Sequence, residues 1–417
     1  MIEAATRHIL EEISLGSSLT PEFRLLLDCS LYLPGSKESR HSSRVAALCA
    51  ARGESAIDWE LFLGLVDRHR VPSLVCAMLS RHAWTHVPGR IGEQIRERDK
   101  NSRMEANNHA SELVRLGKVF NAKGIEWIPF KGSNLSLELY GDPCMRHSRD
   151  LDLLVKTEDL ERSDRILRNE GYERISPDFD LTPRQQEALQ SAAQHYGYRH
   201  PRRSVEVELH WRIDLWTPEQ IVELWNCARP KTWLGAHFRQ LSQESSLLLL
   251  CDHGSRHRWF RIKWLSDVAA ILSRHSGMDW THVVEMADRW DLRRSLAQAV
   301  LLVHRLCELP IEEPLWDLIK QEKKAIPMAR HSSRIMLMRE EEINNPSFRD
   351  KWRRESYYAA LRARLPYQYF IQRRFVDLET WKSSPLPSWA FRLYYPLTML
   401  TWLRLHYLQR LRRIGEL

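Results

Sequence analysis

The chain reads PFKGSNLSLELYGDPCMRHSRDLDLLV from residue 129 to residue 155, and three local patterns follow one another there. The stretch leading into it, Gly124-Ile125-Glu126-Trp127-Ile128-Pro129-Phe130, is short, β-branched and aromatic, which predicts a strand. It runs through Lys131-Gly132-Ser133 into Asn134–Tyr140, which predicts a helix. After a loop with Gly141, Pro143 and Arg146, Asp150-Leu151-Asp152-Leu153-Leu154-Val155 predicts a second strand. The period of two places Asp150 and Asp152 on one face and Leu151, Leu153 and Val155 on the other, buried one.

Two carboxylates pointing the same way repel unless a cation lies between them. Mg²⁺, or Mn²⁺ in its place, is bound by such a pair together with substrate phosphates. A third acid from a neighbouring strand would complete a two-metal clamp for in-line phosphoryl transfer. The candidates lie in Ser204-Val205-Glu206-Val207-Glu208-Leu209-His210-Trp211, a predicted third strand. Its alternation sends Glu206, Glu208 and His210 to one face and Val205, Val207, Leu209 and Trp211 to the other. His210 either assists Glu208 and phosphate or is a structural histidine. At the Lys131-Gly132-Ser133 turn, glycine lets phosphate approach the backbone and the helix N-terminus offers free N–H groups. Ser133 adds a hydroxyl donor and Lys131 a positive charge. Alone, each pattern has an ordinary explanation: a solvated strand face for the acids, a simple strand-to-helix turn for the glycine.

Working outward, the first 120 residues are predicted helical, as at Arg44–Ala51, Asp58–His69 and Arg103–Lys123, and carry no evident chemistry. Thr157 is expected to cap a helix running to Asn169, with Glu158 and Asp159 in its first turn. From Thr217 to Glu313 the pattern again predicts helices, then a charged connector, then a basic aromatic tail from Pro366. The division expected is 1–120, a helical region; 121–215, the core bearing the acids; 216–325, a helical domain; and 326–417, connector and tail. The fold class is α+β, a small mixed sheet flanked by helical regions on both sides.

The combination of glycine turn, paired aspartates and later glutamate resembles the polymerase-β-like nucleotidyltransferases. More closely, residues 129–155 and Val205–Trp211 resemble an uncharacterised bacterial nucleotidyltransferase family with a KG…Y…R…DIDLLV…(D/E)LHW pattern. The resemblance implies that Gly132 and Ser133 grip a triphosphate, that Asp150 and Asp152 bind metal, and that Glu208 is the third acid. It places Lys131 and Arg146 near phosphate. It extends to His253 and His257 in LLLLCDHGSRHRW, which would line the cleft; the other reading makes them a packing pair with Asp267 as partner. A zinc-protease motif is excluded because the intervening glutamate is missing. The sequence departs from the family in using Glu for the third acid and in placing Arg149 directly before Asp150.

Composition bounds the remaining readings. The 417 residues are 43% apolar and 28% charged, with net charge +8, which favours anionic partners. Ten Lys/Arg against three acids from residue 361 onward put most of that charge in the tail. The tail reads as an interfacial helix for an anionic membrane, as a surface for RNA, or as a helix packed on the body. Seven scattered cysteines without a CxxC pair fit a reducing compartment. No secretory leader and no run of about 18–20 apolar residues is seen. The expectation is a cytoplasmic protein, peripheral to a membrane if the tail binds one. It would move a nucleoside monophosphate from an NTP, ATP foremost, to an unidentified acceptor. The rival class is a non-catalytic nucleotide binder, or an accessory protein acting through its tail.

Overall fold

Strand β2 (Asp150–Val155) is half-buried at its first residue and buried from Leu151 onward. It joins β1 (Trp127–Pro129), β3 (Glu173–Ser176), β4 (His195–His200) and β5 (Val205–His210) in a five-stranded sheet of order β1-β2-β5-β4-β3. The computed structural model describes residues 19–32, 40–53, 56–274, 277–344, 346–364 and 376–400. The fold class is α+β: helices precede and follow this small sheet along the chain. The chain divides into two compact units, each assembled from three stretches. The first comprises 1–118, 128–151 and 222–363; the second comprises 119–127, 152–221 and 364–417. The division falls within β1 and within β2.

In the second unit, β4 pairs antiparallel with both β3 and β5. On β5 the burial alternates as the pattern dictates, with Val205, Val207 and Leu209 fully buried. Behind the sheet lies helix Leu160–Asn169, whose Asp164 accepts a 2.6 Å hydrogen bond from Tyr198 of β4. Thr157 does not cap that helix: it opens a 3₁₀ turn, Thr157–Asp159, and the helix follows from Leu160 with no side-chain cap. Helix Pro183–Ala192 opens with a reciprocal capping box between Thr182 and Gln185. Gln185 also donates to the Tyr394 hydroxyl (3.0 Å), which ties residues 376–400 to this unit.

The first unit, as described, is mostly helical, with one hairpin and its shares of β1 and β2. Its N-terminal helices enclose Asp28, which is fully buried and accepts two 2.6 Å hydrogen bonds from Arg44 and one of 2.8 Å with His41. Its C-terminal helices are pinned by buried Gln298, which meets Ser255, Ser332 and Tyr357 at 2.9–3.0 Å. The helical expectation for 217–313 is broken by β6 (Arg229–Trp233) and β7 (Ala236–Gln240), an antiparallel pair. They are joined by Leu234 and Gly235, both at positive φ (49° and 81°) as a tight hairpin turn requires. This hairpin braces helix Gly132–Tyr140. Gln240 donates to Glu138 (2.6 Å) and accepts from Asn134 (2.9 Å) and Lys231 (3.3 Å).

Candidate functional site

The β4–β5 register puts His195 opposite His210 and Gly197 opposite Glu208. His210 and Glu208 alternate with buried Val207 and Leu209, so they share the other face of the sheet. There His210 Nε2 lies 3.1 Å from Glu208 Oε2 and 3.3 Å from Asp152 Oδ1. His195 Nε2 lies 3.7 Å from the other oxygen of Glu208, and the two rings sit 4.8 Å apart. Glu206, the other acid the sequence offers on this face, is engaged by its cross-strand neighbour Arg199 (2.6 Å) in an exposed position. Asp152 and His210 are buried, whereas Glu208 is about one-third exposed at its side chain (32%).

The electrostatics match this geometry. Burial alone would raise the Glu208 carboxyl, but the His210 hydrogen bond and the nearby imidazoles outweigh it and hold it below the usual range. The Asp152 charge works against them. For His210, burial disfavours the imidazolium, yet Asp152 and Glu208 together raise its pKa. The face therefore carries two carboxylates converging on one imidazole nitrogen.

The first unit carries the glycine turn. Gly132 takes φ +66°, a left-handed conformation that side chains disfavour, at the first position of helix Gly132–Tyr140. No side chain caps this N-terminus. A Cβ at Gly132 would face Ser148 Oγ at 3.8 Å and the Asp150 carbonyl at 3.9 Å, so the turn and the first aspartate are neighbours. Ser148 Oγ donates to that carbonyl (3.1 Å). Ser133 is buried and its hydroxyl donates to the Ala106 carbonyl (3.1 Å), so in this state it serves the scaffold. Lys131 lies over the Phe130 ring, 4.9 Å from its centre.

A concentration of positive charge surrounds Asp150. Burial, then Arg146 and Arg70, push Lys263 well below its ordinary pKa, with Asp267 and Asp150 opposing. Burial, then Arg261 and Arg149, lower Arg70 to about 10, with Asp150 again opposing. Burial, then Lys263, Arg70 and Arg149, bring His147 down to about 3. Lys263 Nζ donates to the His147 carbonyl at 3.3 Å. Arg70, Arg149, Arg261 and Lys263 repel one another in this arrangement, which an anion would relieve. Arg70, His147 and Arg261 escaped the sequence reading because they come from three distant segments, and each looks ordinary in its own.

Arg146 is buried and its Nε donates to Asp267 at 2.8 Å, with Tyr140 donating to the same carboxylate at 3.4 Å. Asp267 thus serves Arg146, not the histidine pair for which the packing alternative reserved it. His253 and His257 do lie together, ring centres 4.6 Å apart, and both pack on Trp264, with His257 stacked at 4.9 Å. His253 is pushed well below its ordinary pKa by burial and then by the Lys131 charge, so it is neutral.

His195 was also missed from the sequence. The hairpin itself held the signal: counting back from the 201–204 turn pairs His200 with Val205 and therefore His195 with His210. Of the tail, residues 376–400 are described, and 366–375 and 401–417 lie outside the described residues. Trp389 is exposed, while Trp381 and Tyr394 are buried. Among the described residues no helix is long and apolar enough to cross a membrane.

A family model described as an uncharacterised nucleotidyltransferase matches residues 55–308. Searches of curated proteins and of solved structures found no match.

Proposed function

Because the chain belongs to this uncharacterised nucleotidyltransferase family, we propose that it transfers a nucleoside monophosphate from an NTP to a hydroxyl or phosphate acceptor, releasing pyrophosphate. The observation that carries the reading is the convergence of Asp152 and Glu208 from two strands on one nitrogen, 3.3 and 3.1 Å away. Two carboxylates brought together suit a divalent cation, and the period of two puts Asp150 on the Asp152 face of β2 as a third. Asp150, Asp152 and Glu208 would hold Mg²⁺. When bound, it supplies neutralisation of the triphosphate charge and a lowered pKa for the acceptor hydroxyl.

The chain's own groups do the rest. The backbone of Gly132 and Ser133 receives the β- and γ-phosphates at the helix N-terminus. Arg70, Arg149 and Lys263 offset the charge that develops on the departing pyrophosphate. The acceptor oxygen attacks the α-phosphorus, its proton passes to solvent, and the bond to the bridging oxygen breaks. Arg146 holds the loop before β2 in place through Asp267. Lys131 adds its charge beside the phosphates, and His253 and His257 are the residues through which base, sugar or acceptor would be felt.

The test is incubation of the full-length protein with each of the four NTPs and MgCl₂, scoring nucleotide binding and pyrophosphate release. The Asp150→Ala/Asp152→Ala variant runs alongside. Release by the wild type and its loss in a folded double variant support the reading. Nucleotide binding without release, with every candidate acceptor supplied, would make the protein a sensor of nucleotide instead.

A further inference from the structure

The acids assigned above to metal do not stand alone in the second unit. A ring nitrogen each of His195 and His210 and an oxygen of Glu208 lie within 4.8 Å of one another, and Asp152 Oδ1 is 3.3 Å from His210 Nε2. From this we propose that His195, Glu208, His210 and Asp152 form a two-imidazole, two-carboxylate site for a divalent transition ion, preferring Zn²⁺ and Mn²⁺ to Mg²⁺.

The distances carry the argument. Metal bonds of about 2.1 Å place adjacent donor atoms about 3.0 Å apart at right angles and about 3.4 Å apart at the tetrahedral angle. The observed separations are 3.1 Å for His210–Glu208, 3.3 Å for His210–Asp152 and 3.7 Å for His195–Glu208. A mere salt bridge needs one imidazole; here each oxygen of Glu208 faces a different one, Oε2 to His210 and Oε1 to His195. The cross-strand register of His195 and His210 fixes that pairing, and burial of His210 and Asp152 limits its drift. Imidazole nitrogen favours the borderline transition ions, while Mg²⁺ keeps to oxygen and to its own waters. The site is thus open on the Glu208 and His195 side, where both side chains are partly exposed. The inference takes the proposed metal dependence further, naming the ion class for the Asp152–Glu208 end.

The experiment titrates metal-free, full-length protein with ZnCl₂, MnCl₂ and MgCl₂ by calorimetry, in the absence of nucleotide. The Mn²⁺ complex is then examined by pulsed electron paramagnetic resonance for nitrogen coupling. Zn²⁺ and Mn²⁺ are expected to bind at least about 10-fold tighter than Mg²⁺, with coupling from two imidazoles. His195→Ala, at a partly exposed position, should remove one of the two couplings. It should also lower Zn²⁺ and Mn²⁺ affinity by about 10- to 100-fold, with little change for Mg²⁺. Circular dichroism verifies that this variant is folded. Mn²⁺ bound without nitrogen coupling, or no preference over Mg²⁺, would overturn the proposal. The parallel assay of pyrophosphate release with MgCl₂ separates the two conclusions. Release with no imidazole-bound metal rejects this site alone, whereas imidazole-bound metal without release rejects the transferase reading alone.

Discussion

At Gly132 the backbone, not the space around it, resists substitution. The contacts a Cβ would make, 3.8 and 3.9 Å, are ordinary, but φ +66° costs a side chain about 1–2 kcal/mol. Gly132→Ala should therefore either strain the turn or flatten it, and a flattened turn re-aims the N–H groups of Gly132 and Ser133. The expected outcome is a small fall in melting temperature with NTP affinity lowered about ten-fold or more, since 1.4 kcal/mol is a factor of ten. Lowered stability with unchanged affinity would take the turn out of phosphate binding. At this scale the sequence was informative about residue type and face but left the choice between Glu206 and Glu208 to the family pattern. Only the hairpin register shows that Arg199 engages Glu206 and that His195 faces Glu208.

Among the elements, the segment before β2 is anchored by the Arg146–Asp267 pair, both side chains nearly inaccessible (3% and 1%). Arg146→Ala would leave a buried carboxylate with Tyr140 as its remaining described partner here, a loss on the order of 3–5 kcal/mol. Urea unfolding should show that loss, and Arg146→Met/Asp267→Leu should recover much of it. Unaltered stability combined with abolished nucleotide binding would return Arg146 to the phosphate role implied by the resemblance. Strands β2 and β5 were legible because acids alternate with aliphatics. Strand β4, HYGYRH, was not, because aromatic, histidine and glycine residues blur the alternation. The β6–β7 hairpin hid for another reason: its turn places Leu234 at φ +49°, where Asn or Gly would have announced the bend. The basic cluster could not be read at all, since its charges meet only after helices distant in sequence have packed.

For the molecule as a whole, buried neutral histidines set the response to acid. Burial first, then neighbouring cations, lower His147 to about 3 and His331 to about 4, and hold His69 and His253 well below the ordinary 6.5. Unfolded imidazoles take up protons near 6.5 while these do not, so their contribution is lost as pH falls below that value. His210, raised by its carboxylates despite burial, acts in the opposite sense, losing its contribution as pH rises through its folded pKa. Glu138, raised to about 6 by burial, also acts in that opposite sense, yet among the described groups the lowered histidines are more numerous, and the melting temperature should fall between pH 7 and pH 5. A flat or rising trend would mean that the His210 network dominates. The tail makes a separate prediction. Removing 401–417 keeps Tyr394 and its bond to Gln185, so pyrophosphate release should persist while binding to anionic vesicles or RNA weakens in cosedimentation. Loss of both together would count against a tail that serves only as an address.

The chain passes from one compact unit to the other inside β2, between Leu151 and Asp152. Neighbouring codons therefore serve different bodies, and neither body is encoded by an uninterrupted run of the gene. A recombination event that swaps one continuous segment would carry off parts of both.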